Sequence, residues 1–245
     1  MISVCLATFN GSKFLIQQIN SILPQIGLND ELIIVDDAST DSTLQILESF
    51  TDIRIKLFKN EFNLGVIKTF EKAIRLSNGE FIFLSDQDDI WLPCHVDLMI
   101  KKFEEKNCDV VASNFSIIDV NNNVFGCMKN PLVESDSNNN FKNIYKIFSG
   151  EMYYYGCCMA FRRKLIPIIL PFPKFIESHD LWLGKIGNVL NSIIHVEDIL
   201  LYRRIHGNNV SVVKRSFFRK FVSRLLFFLS IIVIYNRKLR INGRV

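Results

Sequence analysis

Three aspartates stand within four positions in the segment LSDQDDIWLP, residues 84–93, directly after the apolar run EFIFL. Asp86, Asp88 and Asp89 repel one another when all are charged, so a positive partner is expected among them. Mg²⁺ and Mn²⁺ prefer carboxylate oxygens and keep coordination positions open for phosphate groups. The spacing therefore indicates a divalent-cation site, with an acidic helix N-terminus as the alternative.

Two more polar clusters follow apolar runs of the same kind. ATFN, residues 7–10, ends the run that begins at Ile2, and DDASTD, residues 36–41, follows ELIIV. Four strand–helix alternations in about the first hundred residues predict an α/β protein with a mostly parallel central sheet flanked by helices. Such sheets bind ligands at the carboxyl ends of their strands. The three polar loops are therefore expected to converge on one cleft.

The rest of the chain is read by the same rules of spacing and turn chemistry. Ser12 is the expected N-cap of a first helix, and Pro93 is expected to open a later one. DVNNNVFG is expected to form a hairpin turn. The other expectations are a mobile polar loop in VESDSNNNFKN (133–143), a strand in YYYGCCMAF (153–161), a helix in SHDLWLGKIGNVL (178–190) and a final strand in SIIHVEDILLY (192–202).

The net charge of +4 conceals an acidic body and a basic tail. No Asp or Glu follows Asp198, whereas eleven of the 29 basic residues do, which leaves 18 basic against 25 acidic residues before that point. The apolar stretch Leu225–Tyr235 spans eleven residues, too few for the ~20 of a transmembrane helix. We expect one domain over 1–210 and, over 211–245, a basic amphipathic helical tail lying on a membrane surface. A helix packed on the body or on another subunit is the alternative.

Several classes of protein are excluded by what the sequence lacks. It contains no G-x-x-x-x-G-K-[ST], G-x-G-x-x-G or G-x-S-x-G motif. A phosphate-accepting receiver domain carries its acidic pair on the first strand, whereas here the pair closes the second. The apolar core of the tail argues against nucleic acid as a partner. Six cysteines without metal-ligand spacing, and the absence of a signal-peptide pattern, favour a reducing, cytoplasmic compartment.

Taken together in this order, five segments resemble one enzyme family: VCLATFNGSKFLIQQINSILPQ, IIVDDASTDST, NLGVIKTFEKAI, FLSDQDDIWLP and HDLW. They are similar to the inverting nucleotide-sugar glycosyltransferases of family two, which have the GT-A fold. The match is nearest to the bacterial branch that includes rhamnosyltransferases and other surface-polysaccharide enzymes. The resemblance extends over about residues 1–210.

The resemblance implies a role for each matching residue. Asp180 would be the general base, although many relatives have Glu-Asp where this chain has His179-Asp180. Asp88 would bind the metal, with Asp89 as a competitor, and His206 would complete the metal site. The residues implied to lie against the nucleotide sugar are Thr8, Phe9, Asn10, Asp36, Asp37, Asn63, Gly65 and Asp86. Those implied on the acceptor side are Tyr155, Gly156 and Trp182.

Each of these roles has a structural alternative. Asp180 would otherwise cap its helix, His206 would be a solvated loop residue, and Trp182 and Trp91 would be packing residues. The resemblance implies transfer of a sugar, with Mn²⁺ or Mg²⁺, from a nucleotide diphosphate donor to a polyprenyl-diphosphate-linked glycan at the cytoplasmic membrane face. A binding module of the same fold without catalytic activity is the competing function.

Overall fold

Uninterrupted apolar runs form the first strands of the protein, whose computed structural model describes residues 1–206 and 217–243. Every residue of the second strand is buried, as expected for a strand whose two faces are both covered. The first four strands are β1 (Ile2–Thr8), β2 (Glu31–Asp36), β3 (Ile55–Lys59) and β4 (Phe81–Ser85).

Five more strands extend this sheet: β5 (Ile90–Trp91), β6 (Val110–Ile118), β7 (Val124–Cys127), β8 (Met159–Arg162) and β9 (Ile193–Arg204). The strand order is β3-β2-β1-β4-β8-β6-β9-β5, and β7 pairs with β6. Strands β1 to β4 are mutually parallel, and β6 and β9 run in the same direction because β8 is antiparallel to both β4 and β6. The expectation of an α/β fold with a mostly parallel sheet is confirmed, and so is the hairpin that joins β6 to β7.

Amphipathic segments form eight helices within the described residues, with apolar side chains such as Leu15, Ile19, Phe70 and Ile74 buried. They are α1 (Leu15–Ile22), α2 (Thr43–Glu48), α3 (Val66–Leu76), α4 (His95–Lys106), α5 (Asn140–Ser149), α6 (Ile166–Ile169), α7 (His179–Val189) and α8 (Phe217–Asn242).

Two predicted helix starts are wrong by a few residues. Ser12 does not cap α1, because the carbonyl of Gly11 accepts hydrogen bonds from the N–H groups of Phe14 and Leu15 and delays the helix to Leu15. Pro93 does not open α4, because Cys94 adopts a left-handed conformation at φ 67° and the helix begins after it.

The segment predicted as a mobile polar loop is ordered by contacts with a distant strand. Glu134–Asn138 forms a 3-10 turn that leads into α5. Ser137 Oγ accepts a hydrogen bond of 2.8 Å from the backbone N–H of His195 on β9. The predicted strand at 153–161 is also shorter than expected, since Gly156–Cys158 is a 3-10 turn and only Met159–Arg162 joins the sheet.

The C-terminal helix α8 packs on the body along one face. It contacts α6 and α7, and it buries Phe227 and Ile234 there. Arg237 Nη1 donates hydrogen bonds to the carbonyls of Ile168 and Ile169 at the end of α6. No helix among the described residues combines the length and apolar character that a membrane crossing requires. The predicted domain boundary at 210–211 and the side chains of 217–221 lie outside the described residues.

Candidate active site

The carboxyl ends of β1, β2 and β4 open into one cleft of about 2230 Å³. The parallel register aligns these ends, because Thr8 pairs with Asp36 and Leu6 pairs with Ser85. Of the residues that the resemblance implicates, those lining the cleft are Thr8, Phe9, Asn10, Asp37, Asn63, Gly65, Asp86, Asp88, Tyr155, Gly156, Asp180 and His206. The three predicted loops, the loop after β3 and three later segments therefore converge, as the strand-end argument predicted for the first three.

The turn after β1 is fastened to the aspartate loop by Gln87, a residue that the sequence analysis passed over. Gln87 Oε1 lies 2.6 Å from Thr8 Oγ1 and accepts a 2.8 Å hydrogen bond from the Phe9 N–H. Gln87 Nε2 donates in return to the Phe9 carbonyl at 3.1 Å. A Cβ at Gly11 would stand 2.3 Å from Gln87 Oε1. Glycine there is what lets the two loops meet.

Asn10 connects the same turn to the loop after β2. Its side-chain oxygen accepts a 2.8 Å hydrogen bond from the Thr40 N–H, and its own N–H donates to Ser39 Oγ at 2.9 Å. Asn10 has a φ of 50°, a conformation that asparagine tolerates better than most residues. The turn therefore presents Phe9, which is 41% exposed, to the cleft.

The paired aspartates after β2 serve different purposes. Asp37 lies on the cleft wall, where its carboxylate accepts hydrogen bonds from the N–H groups of Leu64 and Gly65 at 2.9 and 2.8 Å. It also accepts one from Asn60 Nδ2 at 2.7 Å. Asp36 is fully buried and accepts a 3.0 Å bond from the Ser39 N–H. Asp36 does not line the cleft, so the implied contact with the nucleotide is not provided by its side chain.

The N-x-G segment takes its shape from Asp37. Asn63 Oδ1 accepts a 3.1 Å hydrogen bond from the Gly65 N–H, which Asp37 also engages. Gly65 has a φ of 82°, in the left-handed region that favours glycine, and a Cβ there would meet nothing within 4 Å. Glycine is required at this position by the backbone conformation and not by a close neighbour.

The cluster of Asp86, Asp88 and Asp89 lies in the turn between β4 and β5, beside the end of β9. Burial, and then the negative charge of Asp88, raise the pKa of Asp86 to about 7. Burial and the charges of Asp88 and Asp86 likewise raise the pKa of Asp89 well above its ordinary value. Cys157 contributes a thiol, and its ligand atom and one from each of Asp86 and Asp89 lie within 4.8 Å of one another. The environment therefore disfavours the accumulation of negative charge unless a cation is nearby.

Asp88 and His206 form the pair that suits a metal ion. His206 Nε2 lies 2.7 Å from Asp88 Oδ2, and both side chains are about 15% exposed at the cleft. One carboxylate and one imidazole, with cleft space beside them, are compatible with Mn²⁺ or Mg²⁺ and an open side for phosphate. Asp89 Oδ2 is a further buried oxygen without a hydrogen-bond partner among the described residues. The residues present therefore fit a divalent cation.

Arg204 holds this corner together, and the sequence analysis had counted it only with the basic tail. It is 1% exposed, and its Nε donates a 2.9 Å hydrogen bond to the Asp88 carbonyl. Its backbone N–H donates to Asp89 Oδ1 at 3.0 Å. Its Nη2 reaches Gln17 Oε1 at 2.8 Å, on the helix after the first turn. The guanidinium thereby fixes the backbone of Asp88. His206 follows Arg204 by two residues, so the anchoring of Arg204 also limits where His206 lies.

The residues that the resemblance implies on the acceptor side lie near the start of α7. Asp180 lies in the first turn of α7, where one carboxylate oxygen accepts a 2.7 Å hydrogen bond from the Leu181 N–H. The residue before the helix is Ser178, so Asp180 is not its N-cap. A Cβ at Gly156 would stand 2.6 Å from His179 Nε2 and 3.6 Å from Asp180 Cβ. The small residue therefore allows the chain to pass close beside the predicted base.

Tyr155 lies on the same wall and Trp182 does not. The Arg203 guanidinium sits 5.0 Å from the Tyr155 ring centroid, and this tyrosine lines the cleft. Trp182 is fully buried, and its indole N–H donates a 3.1 Å hydrogen bond to the Ile169 carbonyl. The structure therefore places Trp182, which the resemblance implied on the acceptor side, in the core beneath α6 and α8 and not on the cleft wall.

The protein thus has an α/β fold with a cleft at its strand ends. Asp88 and His206 form a carboxylate–imidazole pair on this cleft, and Asp180 at the start of α7 adds a separate carboxylate. The sequence profile described as Glycosyl transferase family 2 matches residues 3–168. The chain therefore belongs to glycosyltransferase family 2.

Three relatives illustrate the range of similarity. WfgD of Escherichia coli, a UDP-Glc:alpha-D-GlcNAc-diphosphoundecaprenol beta-1,3-glucosyltransferase, is 32% identical over 51% of this chain and 49% of its own length. Uncharacterised glycosyltransferases are 30% identical over 85% of the chain in Methanocaldococcus jannaschii and 26% over 87% in Haemophilus influenzae, covering 72% and 68% of those proteins. The chain thus spans about half the length of WfgD and about two thirds of the other two.

Among solved structures, residues 1–349 of Staphylococcus aureus TarS in complex with UDP-GlcNAc superpose with a TM-score of 0.73. The identity is 22%, and the match covers 94% of this chain and 66% of that structure. This likeness establishes the fold and leaves the chemistry to be argued from the cleft.

Proposed function

We propose that the protein transfers a sugar from a nucleotide diphosphate donor to a growing bacterial surface glycan, with inversion at the anomeric carbon. The observation that carries this proposal is that Asp180 and the Asp88–His206 pair line one cleft. A proton acceptor and an anion-binding corner on the same cavity are what a transfer with a diphosphate leaving group needs. The membership in family 2 supports the same reading.

The loops at the ends of β1 and β2 would hold the nucleotide. Phe9 offers an exposed ring and lies in the turn that Gln87 and Asn10 immobilise. Asp37 and Asn63 hold the Gly65 turn on the opposite wall of the cleft. These contacts fix the pocket before the donor arrives, which reduces the ordering cost of binding.

A Mn²⁺ or Mg²⁺ ion would be held by Asp88 and His206 and would supply neutralisation of the charge on the diphosphate. The chain's own contribution is to keep these two ligands together. Arg204 does so through the Asp88 carbonyl and through its own place two residues before His206.

Asp180 would act as general base. An acceptor hydroxyl gives its proton to the Asp180 carboxylate while its oxygen forms a bond to the anomeric carbon. The bond from that carbon to the diphosphate oxygen breaks on the opposite side, and the nucleotide diphosphate leaves with the electron pair. Because this leaving group departs without protonation, the second carboxylic acid of a glycoside hydrolase is not required. The Leu181 N–H fixes the Asp180 side chain at the start of α7.

The acceptor in this proposal is a glycan linked to a polyprenyl diphosphate. WfgD and WfaP of Escherichia coli carry such an acceptor in their names, GlcNAc-diphosphoundecaprenol, and are 32% and 30% identical to this chain over about half of it. Such an acceptor resides in a membrane, so the protein is proposed to work at the cytoplasmic face.

The outer face of α8 would provide the membrane contact. Its exposed apolar residues recur at helical spacing: Leu225, Phe228, Leu229, Ile232, Tyr235 and Leu239. Arg240 is exposed on the same helix, and no acidic residue follows Asp198 in the sequence. Apolar area together with excess positive charge matches an anionic bilayer surface.

A donor panel tests the transfer itself. UDP-glucose, UDP-GlcNAc and dTDP-rhamnose should be offered with Mn²⁺ and a GlcNAc-diphosphate-alkyl acceptor, and the product should be identified by mass and by the anomeric coupling constant. One donor is expected to give a product of inverted configuration. A product that retains the donor's configuration would refute the inverting mechanism. Donor binding without turnover for the whole panel would favour the non-catalytic module.

Vesicle sedimentation tests the membrane contact. Replacing Phe228 and Ile232 by serine should reduce binding to vesicles of phosphatidylglycerol and phosphatidylethanolamine. Leu28 and Ile53, which are 79% and 82% exposed on the opposite half of the molecule, provide the matched control pair. Equal loss from both double variants, or no loss from the first, would show that α8 does not dock on lipid.

A further inference from the structure

Beyond the donor corner, the cleft continues along the inner face of α8. Its far wall combines Lys185 of α7 with Val222, Ser223, Arg224, Leu226, Phe227 and Ser230 of α8. Aromatic side chains of α5 and α8 meet there, with Phe148 and Phe227 at 5.4 Å between ring centroids. Nothing in the donor chemistry uses this extension.

A buried lysine lies in this wall, and no carboxylate of the described residues forms an ion pair with it. Lys185 is 7% exposed, and its Nζ donates a 2.9 Å hydrogen bond to Ser230 Oγ. The ammonium also lies 5.5 Å from the Phe227 ring centroid. Within residues 1–206 and 217–243 it forms no ion pair, although Glu177 nearby favours its charged form. An ammonium has three donors, and one hydrogen bond to a neutral hydroxyl compensates little of the cost of its burial.

The surroundings of Lys185 favour an incoming anion. Burial lowers the pKa of Lys185 to about 8, against the opposing effect of Glu177, so a nearby negative charge would restore the ammonium. Arg224, one α8 turn and a half before Ser230, adds a second positive charge on the cleft wall, with its guanidinium 5.7 Å from the Phe148 ring centroid.

The position of Lys185 relative to the predicted base is the decisive point. Both residues line the cleft from α7, where a spacing of five positions separates them by ~7.5 Å along the helix axis and by about 140° around it. In the acceptor that the name of WfgD describes, the reacting hydroxyl at carbon 3 and the diphosphate at carbon 1 are separated by one sugar ring. A phosphate-binding group is therefore needed about one sugar ring away from the base.

We propose that Lys185, with Ser230 and Arg224, forms a subsite for the diphosphate of the acceptor, separate from the donor's own diphosphate corner. This inference rests on the proposed function for the identity of the acceptor. With this subsite, α8 would have two functions. Its outer face would lie on the lipid, and its inner face would bind the phosphates that join the glycan to that lipid.

Binding of decyl diphosphate, in the presence of saturating UDP and Mn²⁺, tests the subsite without requiring transfer. UDP occupies the donor corner, so the remaining binding measured by calorimetry reports the second site. Lys185→Met is expected to weaken it by about 10- to 100-fold, the range for losing a charge-assisted hydrogen bond. Lys185→Arg and Ser230→Ala, which keep the positive charge, should lose much less. Lys101→Met, on the exposed face of α4, is the matched control.

Transfer to two acceptors separates this inference from the proposed function. GlcNAc joined to a decyl chain through diphosphate should be preferred by the wild type over decyl GlcNAc glycoside, through a lower KM, and Lys185→Met should abolish the preference. Loss of decyl diphosphate binding in Lys185→Met without transfer by the wild type would retain the subsite and reject the function. Unchanged binding in Lys185→Met, or equal loss in Ser230→Ala and Lys185→Met, would overturn the subsite whether or not transfer occurs.

Discussion

The donor side of the cleft and the acceptor side are assembled in different ways. Residues 8–11, Asp37, Asn63 and Gly65 form the proposed donor side, each after a strand of the parallel set. Residues 86–89 and His206 form the junction between the two sides. The proposed acceptor side draws on residues 155–156, 179–185, Arg203 and 224–230, which come from a 3-10 turn, two helices and the end of β9. Local chain direction places the donor side, whereas packing between distant segments places the acceptor side.

Polar groups are also satisfied differently on the two sides. On the donor side, backbone N–H groups meet the carboxylates, as when Leu64 and Gly65 donate to Asp37. On the acceptor side and at the junction, charged groups are buried with few such donors, as for Asp86 and Lys185, whose pKa values move toward neutrality. On the donor side the polar groups are already hydrogen-bonded before a ligand binds. At the junction and on the acceptor side, the buried charges of Asp86 and Lys185 are poorly compensated, and a bound substrate or ion of opposite charge would stabilise them.

The largest expected effect lies on the acceptor side. Asp180→Asn should reduce kcat for transfer by about 10²- to 10⁴-fold, because the amide cannot accept the hydroxyl proton. Binding of UDP, measured by calorimetry, should change little, since the donor loops are separate from α7.

Asp97 provides the control for this substitution. It is an exposed acid in the first turn of α4, as Asp180 is in the first turn of α7, so Asp97→Asn tests the loss of a helix-end charge alone. Full transfer activity in Asp180→Asn would show that Asp180 is not the general base. The proposed difference between the donor side and the acceptor side would then lose its catalytic basis.

The pH dependence of stability should come from two buried histidines, His95 on α4 and His195 on β9. Burial lowers the pKa of His95 and of His195 to about 4, against the hydrogen bonds that they make to carbonyls. Between pH 6.5 and 4 the unfolded chain binds protons that the folded protein refuses, so stability falls as pH falls through this window. The loss is about 2 kcal/mol per imidazole between pH 7.5 and 5.

Urea unfolding at these two pH values measures the effect. His95→Gln, which keeps a donor for the Leu200 carbonyl, should remove about half of the histidine contribution to the difference. If the variant and the wild type lose the same stability on acidification, the buried imidazole of His95 is not a source of the pH dependence.

A substitution at the junction between the two sides should change the dependence of transfer on the metal ion. Asp88→Asn removes a charged ligand beside His206, and the apparent affinity for Mn²⁺ in the transfer assay is expected to fall by about 10- to 100-fold, the range seen when a metal site is weakened. Restoration of the rate at high Mn²⁺ would sharpen the assignment. Asp119→Asn, on the hairpin that Arg204 also touches, is the control. An unaltered Mn²⁺ dependence in Asp88→Asn would move the site to Asp86 and Asp89.

The smallest effect is expected at the donor cradle. Asp37→Asn keeps one acceptor oxygen but loses the other, so one of the Leu64, Gly65 and Asn60 donors is left unmet, at a cost of about 1–3 kcal/mol of folding stability. Affinity for UDP should decline with it, because the Gly65 turn lines the cleft. Asp30→Asn, which bonds the Ile2 N–H at the opposite end of β1, controls for general destabilisation. A stability loss without any loss of affinity would make Asp37 a purely structural residue.

The parts of the fold that were predictable are those with short-range causes. Apolar runs and the turn residues after them located β1, β2 and β4 and brought Thr8, Asp37 and Asp86 to one edge. Local rules failed for α1 and α4, whose starts depend on the carbonyl of Gly11 and on the left-handed Cys94. They also failed at 134–149, where Ser137 is held by β9, some sixty residues later.

The amino-acid sequence by itself determined the strand–helix alternation, the family and the residues able to bind a metal or accept a proton, because these depend on residue type and near-neighbour spacing. The tertiary structure alone decided which of them face the cleft: it buried Asp36 and Trp182, and it brought Gln87, Arg204 and Lys185 to the site. Burial and electrostatic environment are set by segments far apart in the chain, which no local pattern records.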